Sequence, residues 1–176
     1  MPPESPSAPV GRGTLATIAR HLARDDYPPG DLAQLRRLDP DRPDGRAFWQ
    51  VVAHHVPGAL DDEPVVRALA ICLRGMAIMR EFLVGEPRRL GTVLAEVGVT
   101  ELRVLRLLRA DAARLAEELR QLARLLASKG EAGRFDWGDA YDLIRSAASD
   151  REAEVRRRIA RDYYGRVFQP KKESAA

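Results

Sequence analysis

The sequence predicts an all-α protein: a helical bundle of two packed halves, with one long amphipathic helix in the second. Three observations carry this. Apolar residues recur at intervals of three and four along most of the chain, as a buried helical face demands. No segment alternates apolar and polar residues as a half-buried strand would. Proline and glycine clusters cut the periodic stretches into helix-sized pieces.

Residues 1–12, rich in Pro, Ser and Gly, read as a disordered lead-in. The N-terminal half spans 13–98. Leu15, Ile18 and Leu22 open it on a helix that Pro28-Pro29-Gly30 ends. Asp31 is placed to cap a short segment with Leu32, Leu35 and Leu38. A turn cluster over 39–45 leads to a helix with Phe48, Trp49, Val51, Val52 and Val56. Pro64 follows Asp61-Asp62, where a first-turn proline belongs. The helix it opens is apolar nearly all round to about Leu83, the mark of a buried centre. A short helix with Leu90, Val93, Leu94 and Val97 stops at Gly98.

The C-terminal half spans 99–168. Its longest element covers about Thr100 to Ser128, with Leu105, Leu108, Ala112, Leu115, Leu119, Leu122 and Leu126 as the stripe. Asp136 caps a helix through about Ser146. Ser149 and Glu152 form a capping-box pattern for a last helix carrying Val155, Ile159 and Tyr163, with Gly165 at its stop. The tail, 169–176, is polar and expected to fray.

With 45% hydrophobic and 31% charged residues in 176, the chain is of folded rather than disordered composition. Its longest apolar run falls well short of the roughly 20 residues of a membrane span. The start, Met1-Pro2-Pro3-Glu4-Ser5-Pro6, lacks a signal peptide's basic and apolar regions. A single cysteine excludes a disulfide framework and a multi-cysteine zinc site. Together these point to the cytoplasm.

Nothing catalytic stands out, and no metal or cofactor is expected. There is no Walker loop, GxGxxG or GxSxG. His54 and His55 are adjacent, about 100° apart on a helix, and His21 stands alone. Cys72 lies in the most apolar helix, where a lone cysteine is a small core residue.

The charges are more informative. The first 98 residues carry 12 basic and 13 acidic side chains, the last 78 carry 17 and 13. On one continuous helix, Arg103, Arg106, Arg109, Arg114, Arg120 and Arg124 share a sector opposite the apolar stripe, with Glu117 the sole acid among them. A merely solvated helix interleaves both signs. Such a face suits a phosphate backbone. Arg156-Arg157-Arg158 with Arg161, and Arg36-Arg37, form further basic clusters. Ten scattered aromatics give no base-stacking platform, so binding should be backbone-directed. Residues 90–109 also read as a short helix, a turn and a second helix, which leaves a stand-alone helix-turn-helix DNA-binding regulator as the alternative.

An ordered set of short motifs completes the reading. It comprises Leu35-Arg36-Arg37-Leu38, Ala47-Phe48-Trp49, Leu90-Gly91, Arg106-Leu107-Leu108-Arg109-Ala110-Asp111, Leu119-Arg120-Gln121-Leu122, Phe135-Asp136-Trp137 and Ala160-Arg161-Asp162-Tyr163-Tyr164-Gly165. In this order and spacing, over residues 30–166, the chain resembles the CasB family, the small subunit of the type I-E CRISPR Cascade surveillance complex. The resemblance implies an all-α subunit without enzymatic activity. It would sit as two copies beside the backbone and large subunits. It would help hold the hybrid of guide RNA and target DNA, and the displaced strand, in an R-loop whose specificity belongs to guide pairing. It places Arg36 and Arg37 on an early basic doublet, and Arg103, Arg109 and Arg120 on basic positions of the long helix. Local charge adds Arg106, Arg151 and Arg157. Asp61, Asp62 and Glu63 stand where relatives can carry a basic residue, so no contact is expected from that loop.

Overall fold

The computed structural model describes residues 10–169. Among these, nine α-helices and no strand are present: α1 Arg12–Leu22, α2 Pro29–Arg36, α3 Arg46–His55, α4 Glu63–Ile78, α5 Leu90–Glu96, α6 Glu101–Arg109, α7 Ala112–Ala127, α8 Trp137–Ser146 and α9 Glu152–Val167. The expected lead-in falls outside the described residues up to position 9, and Arg12 already opens α1. The expected frayed tail lies outside them from position 170.

Helix α4 is the axis of the bundle. Asp62 accepts a hydrogen bond from the Val65 amide at 3.1 Å, and Pro64 occupies the first turn, where its missing N–H costs nothing. Ten of its 16 residues are buried, among them Leu69, Ile71, Cys72, Leu73 and Met76. Helices α2, α7 and α8 pack round it. Gly75 admits α8 closely: a Cβ there would lie 2.1 Å from the Trp137 ring. Gly91 does the same where α5 crosses α9, since its Cβ would meet the Ile159 carbonyl at 2.3 Å.

A buried carboxylate ties four helices together. Asp139 on α8, 1% exposed, accepts from the Leu90 amide of α5 at 2.8 Å and from Arg12 of α1 at 2.7 Å. Arg89 and, on α9, Arg158 approach it at 3.5 Å. Arg12 also pairs with Asp136 and with Asp142 at 2.9 Å. Burial works against the Arg12 charge, but its bonds to Asp139 and Asp136 outweigh that and raise its pKa above the ordinary value.

Several boundaries differ from the sequence-based expectation. The main one is that the element expected over 100–128 is two helices. Ala110 and Asp111 are extended (φ −62°, ψ 131° and φ −72°, ψ 172°), and Asp111 caps α7 by accepting from the Arg114 amide at 2.9 Å. Arg156 of α9 donates to the Leu108 carbonyl and, at 2.8 Å, to the Ala110 carbonyl. The carbonyls that a continuous helix would use internally are thus satisfied from outside. Asp31 is no cap: α2 begins at Pro29, and the buried Asp31 pairs with Arg46 at 3.1 Å. Helix α1 stops at Leu22, before the prolines, and α4 at Ile78. Glu152 reaches back to the Ala148 amide at 2.7 Å rather than completing a box with Ser149. Helix α9 runs through Gly165 to Val167.

His21 does not stand alone. The C-terminal turns of α1 and α3 converge, so that His21 Nδ1 lies 2.6 Å from His55 Nε2, with the His54 ring 4.6 Å from that of His55. One ring must donate and the other accept, so the pair holds together only while at least one imidazole is neutral. Burial pushes both His21 and His55 below their ordinary pKa; neighbouring rings act in the same direction.

Candidate nucleic-acid interface

Arginine in this fold has three destinations. One group is consumed internally, chiefly at helix ends, where the last carbonyls lack an intrahelical donor. Arg74 of α4 donates to the Ala116 carbonyl of α7 at 2.7 Å, Arg80 to the Arg24 carbonyl at 2.9 Å, and Arg88 to the Ala132 carbonyl at 2.8 Å. Arg156 belongs to this group, as does Arg36, whose Nε donates to the Ala77 carbonyl in the last turn of α4 at 2.9 Å. The guanidinium fork suits such work, because it carries several donors in a fixed plane. A second group is held by acids near the surface, as Arg24 is by Asp26 at 2.7 Å, and a third points to solvent with no acid partner.

The nominated residues divide between these destinations. Arg37, Arg109 and Arg151 are exposed, and their side chains bond to no described residue. Arg103 is half-buried beside Glu118 and Leu122 without an ion pair. Arg157 bonds only its own helix, through the Ala153 carbonyl at 3.1 Å. Arg106 is paired with Glu118 at 2.7 Å, and Arg120 with Glu117 at 2.5 Å. Arg120 and Gln121 together pull the Glu117 carboxyl down to about 2. Both pairs are solvated, so each contributes little to stability.

The break at Ala110 changes which arginines lie together. A single face bearing all six is not formed. Arg106, Arg109 and Arg114 line one groove between α6 and α7, about 300 Å³ in volume, with Leu102, Leu105 and Glu118. Arg103 follows one turn back on α6, on the far side of Glu118. Arg120 lies elsewhere: six residues on from Arg114, it is turned about 120° round α7. There it sits near enough to Arg74 of α4 to disfavour that charge, which burial already lowers. Arg124, one turn beyond Arg120, follows it. The strip nearest to the expected rail is therefore Arg103, Arg106, Arg109 and Arg114. Arg114 joins it through the cap: the Asp111-x-x-Arg114 spacing, a capping residue and the amide that bonds it, is the sequence signal that places Arg114 in a first turn.

The helix-turn-helix reading gains one feature and loses another. Helix α6 is nine residues long, near the length of a recognition helix. Yet its first turn presents Glu101, bonded to the Tyr164 hydroxyl at 2.7 Å, and Leu102, 74% exposed. An acid and a leucine are poor at reading purine edges, which Arg, Asn or Gln contact.

Among the described residues, no group of three or more His, Cys, Asp or Glu side chains is arranged to hold a metal ion. Cys72 is fully enclosed, and burial pushes its thiol well above the usual range, away from nucleophilic thiolate. No helix among the described residues is long and apolar enough to cross a membrane. Comparison with known families gives a match of residues 31–164 to the family model described as CRISPR-associated protein Cse2. No curated protein and no solved structure gives a match.

Proposed function

The chain belongs to the family of CRISPR-associated protein Cse2, also called CasB, a subunit of the type I-E Cascade complex, and from that premise we propose that its exposed arginines hold nucleic-acid backbone there. The observation that carries this is the groove between α6 and α7, where Arg106, Arg109 and Arg114 face a single acid, Glu118. Arg103 extends the strip along α6. Arg37, Arg151 and Arg157 are secondary contacts. Arg36 and Arg120 are already engaged, Arg36 by the Ala77 carbonyl and Arg120 by Glu117.

In this reading the chain performs no chemical step. Two copies lie beside the backbone and large subunits. Their arginines neutralise phosphates of the guide RNA–target DNA hybrid and of the displaced strand, which must not re-anneal. The exchange of duplex for hybrid is nearly balanced in free energy. Each charge-assisted contact is worth about 1.5–3 kcal/mol, so a few of them shift that balance decisively. Arg103→Glu combined with Arg109→Glu should leave the subunit folded and assembled but shorten R-loop lifetime at least tenfold. Single-molecule R-loop lifetimes in the intact complex measure this. An unchanged lifetime refutes the assignment.

A further inference from the structure

All three histidines of the chain meet at one place, away from the α6–α7 groove. His21 comes from the last turn of α1, His54 and His55 from the last turn of α3. Their ring centroids stand 4.9 Å apart for His21 and His55, 5.8 Å for His21 and His54, and 4.6 Å for the adjacent pair. The buried faces of the two helices are supplied by Ile18, Leu22, Val51 and Val52. The histidines add little to that core: His21 and His55 are half-buried and His54 is exposed. What they do share is a focus. His21 Nδ1 faces His55 Nε2 at 2.6 Å, two ligating nitrogens from different helices aimed at one spot.

We infer that His21 and His55 together bind a divalent ion of the late first-row series, of which Zn²⁺ is the test case, and so clamp the end of α1 to the end of α3. Two Zn–N bonds of about 2.0–2.1 Å at a tetrahedral angle set their nitrogens about 3.3 Å apart, so the rings need part by only about 0.7 Å. The proton now between them moves to the far nitrogen of its own ring, and a neutral pair loses none. Both helices reach their C-termini here, so two negative helix poles favour a cation. No third protein ligand is arranged at the pair, so water completes the coordination. Beside His21 and His54 opens a cavity of about 420 Å³ that gives this water room. The cation in its lining, Arg24, is matched by Asp26 at 2.7 Å and adds no net charge. Imidazole suits zinc, copper and nickel, whereas magnesium and calcium seek oxygen.

The test titrates the full chain, freed of metal by a chelator, with zinc chloride at pH 7.5 in a calorimeter. One equivalent should bind per chain. His21→Gln and His55→Gln should each weaken binding at least tenfold, and His54→Gln less than threefold. With Zn²⁺ at about a hundred times its Kd, Tm should rise by about 5–10 °C in the original chain and in His54→Gln, but not in the other two variants. Mg²⁺ should leave Tm unchanged. Circular dichroism verifies that each variant is folded before metal is added. Absence of saturable Zn²⁺ binding by the original chain overturns the site. Equal binding by His21→Gln or His55→Gln overturns it too, because the ion then sits elsewhere. Loss in His54→Gln with retention in His21→Gln refutes the pairing of α1 with α3. Each of these outcomes leaves the nucleic-acid reading of the α6–α7 groove untouched.

Discussion

Replacing Asp139 by alanine should be the most damaging single polar change in this fold. The side chain is almost wholly enclosed and accepts from the Leu90 amide at 2.8 Å and from Arg12 at 2.7 Å, with Arg89 and Arg158 close by. Alanine leaves the Leu90 N–H buried without an acceptor, which costs about 1–3 kcal/mol. It also leaves three guanidinium groups facing a gap. Arg12 is partly exposed, at 38%, and recovers some of its loss from water. Removing one member of a buried charged network costs about 3–5 kcal/mol in all. Against a total stability of about 5–15 kcal/mol that is a large fraction. For a chain of this size it lowers Tm by about 6–20 °C. Urea and thermal unfolding followed by circular dichroism give the value. Asp139→Asn retains an acceptor for Leu90 and should cost less than half as much. An alanine variant within 1 kcal/mol of the original, or an asparagine variant as unstable as the alanine one, refutes the view that Asp139 staples α1, α5, α8 and α9.

Two further outcomes follow from titratable groups inside the bundle. Burial and neighbouring rings lower the pKa of His21 and His55, so the unfolded chain takes up protons before the folded one as pH falls. Their contribution to stability is full above an unfolded pKa of about 6.5 and declines below it. Tm should drop between pH 7.5 and 5.5, and His21→Gln with His55→Gln should flatten that drop; an equal slope in the double variant counts against the pair. Cys72, enclosed and raised in pKa, should resist an aromatic disulfide reagent for hours in the folded chain and react fully in guanidinium. Rapid labelling under native conditions would show that α4 opens.

The helices were largely legible because their signals are local. The Asp62–Pro64 start and the unbroken apolar surface of α4 need no tertiary knowledge. The joint between α6 and α7 was masked by its own periodicity. Leu108 and Leu115, seven residues apart and both buried, fit one helix or two in phase. The capping pattern at Asp111 was visible, but the arginine that makes the break affordable, Arg156, lies 46 residues from the Ala110 carbonyl it holds. The histidine cluster depends on two helix ends meeting, which adjacency in sequence cannot reveal. The site was harder still. A sequence shows where arginines are, not whether a carbonyl or a carboxylate already holds them. That decides between Arg109, free on α6, and Arg120, bound to Glu117.

Helix α6 is fastened to α9 at both ends. The Tyr163 hydroxyl donates to the Val99 carbonyl at 2.8 Å just before it, Tyr164 bonds Glu101 in its first turn, and Arg156 clasps the carbonyls at its far end. Mechanically, α9 is a splint. A displacement of α6 would have to carry the last helix with it, and with that helix α5, against which α9 packs through Gly91. The splint therefore fixes where the strip Arg103–Arg106–Arg109 stands relative to Arg157, which α9 itself carries.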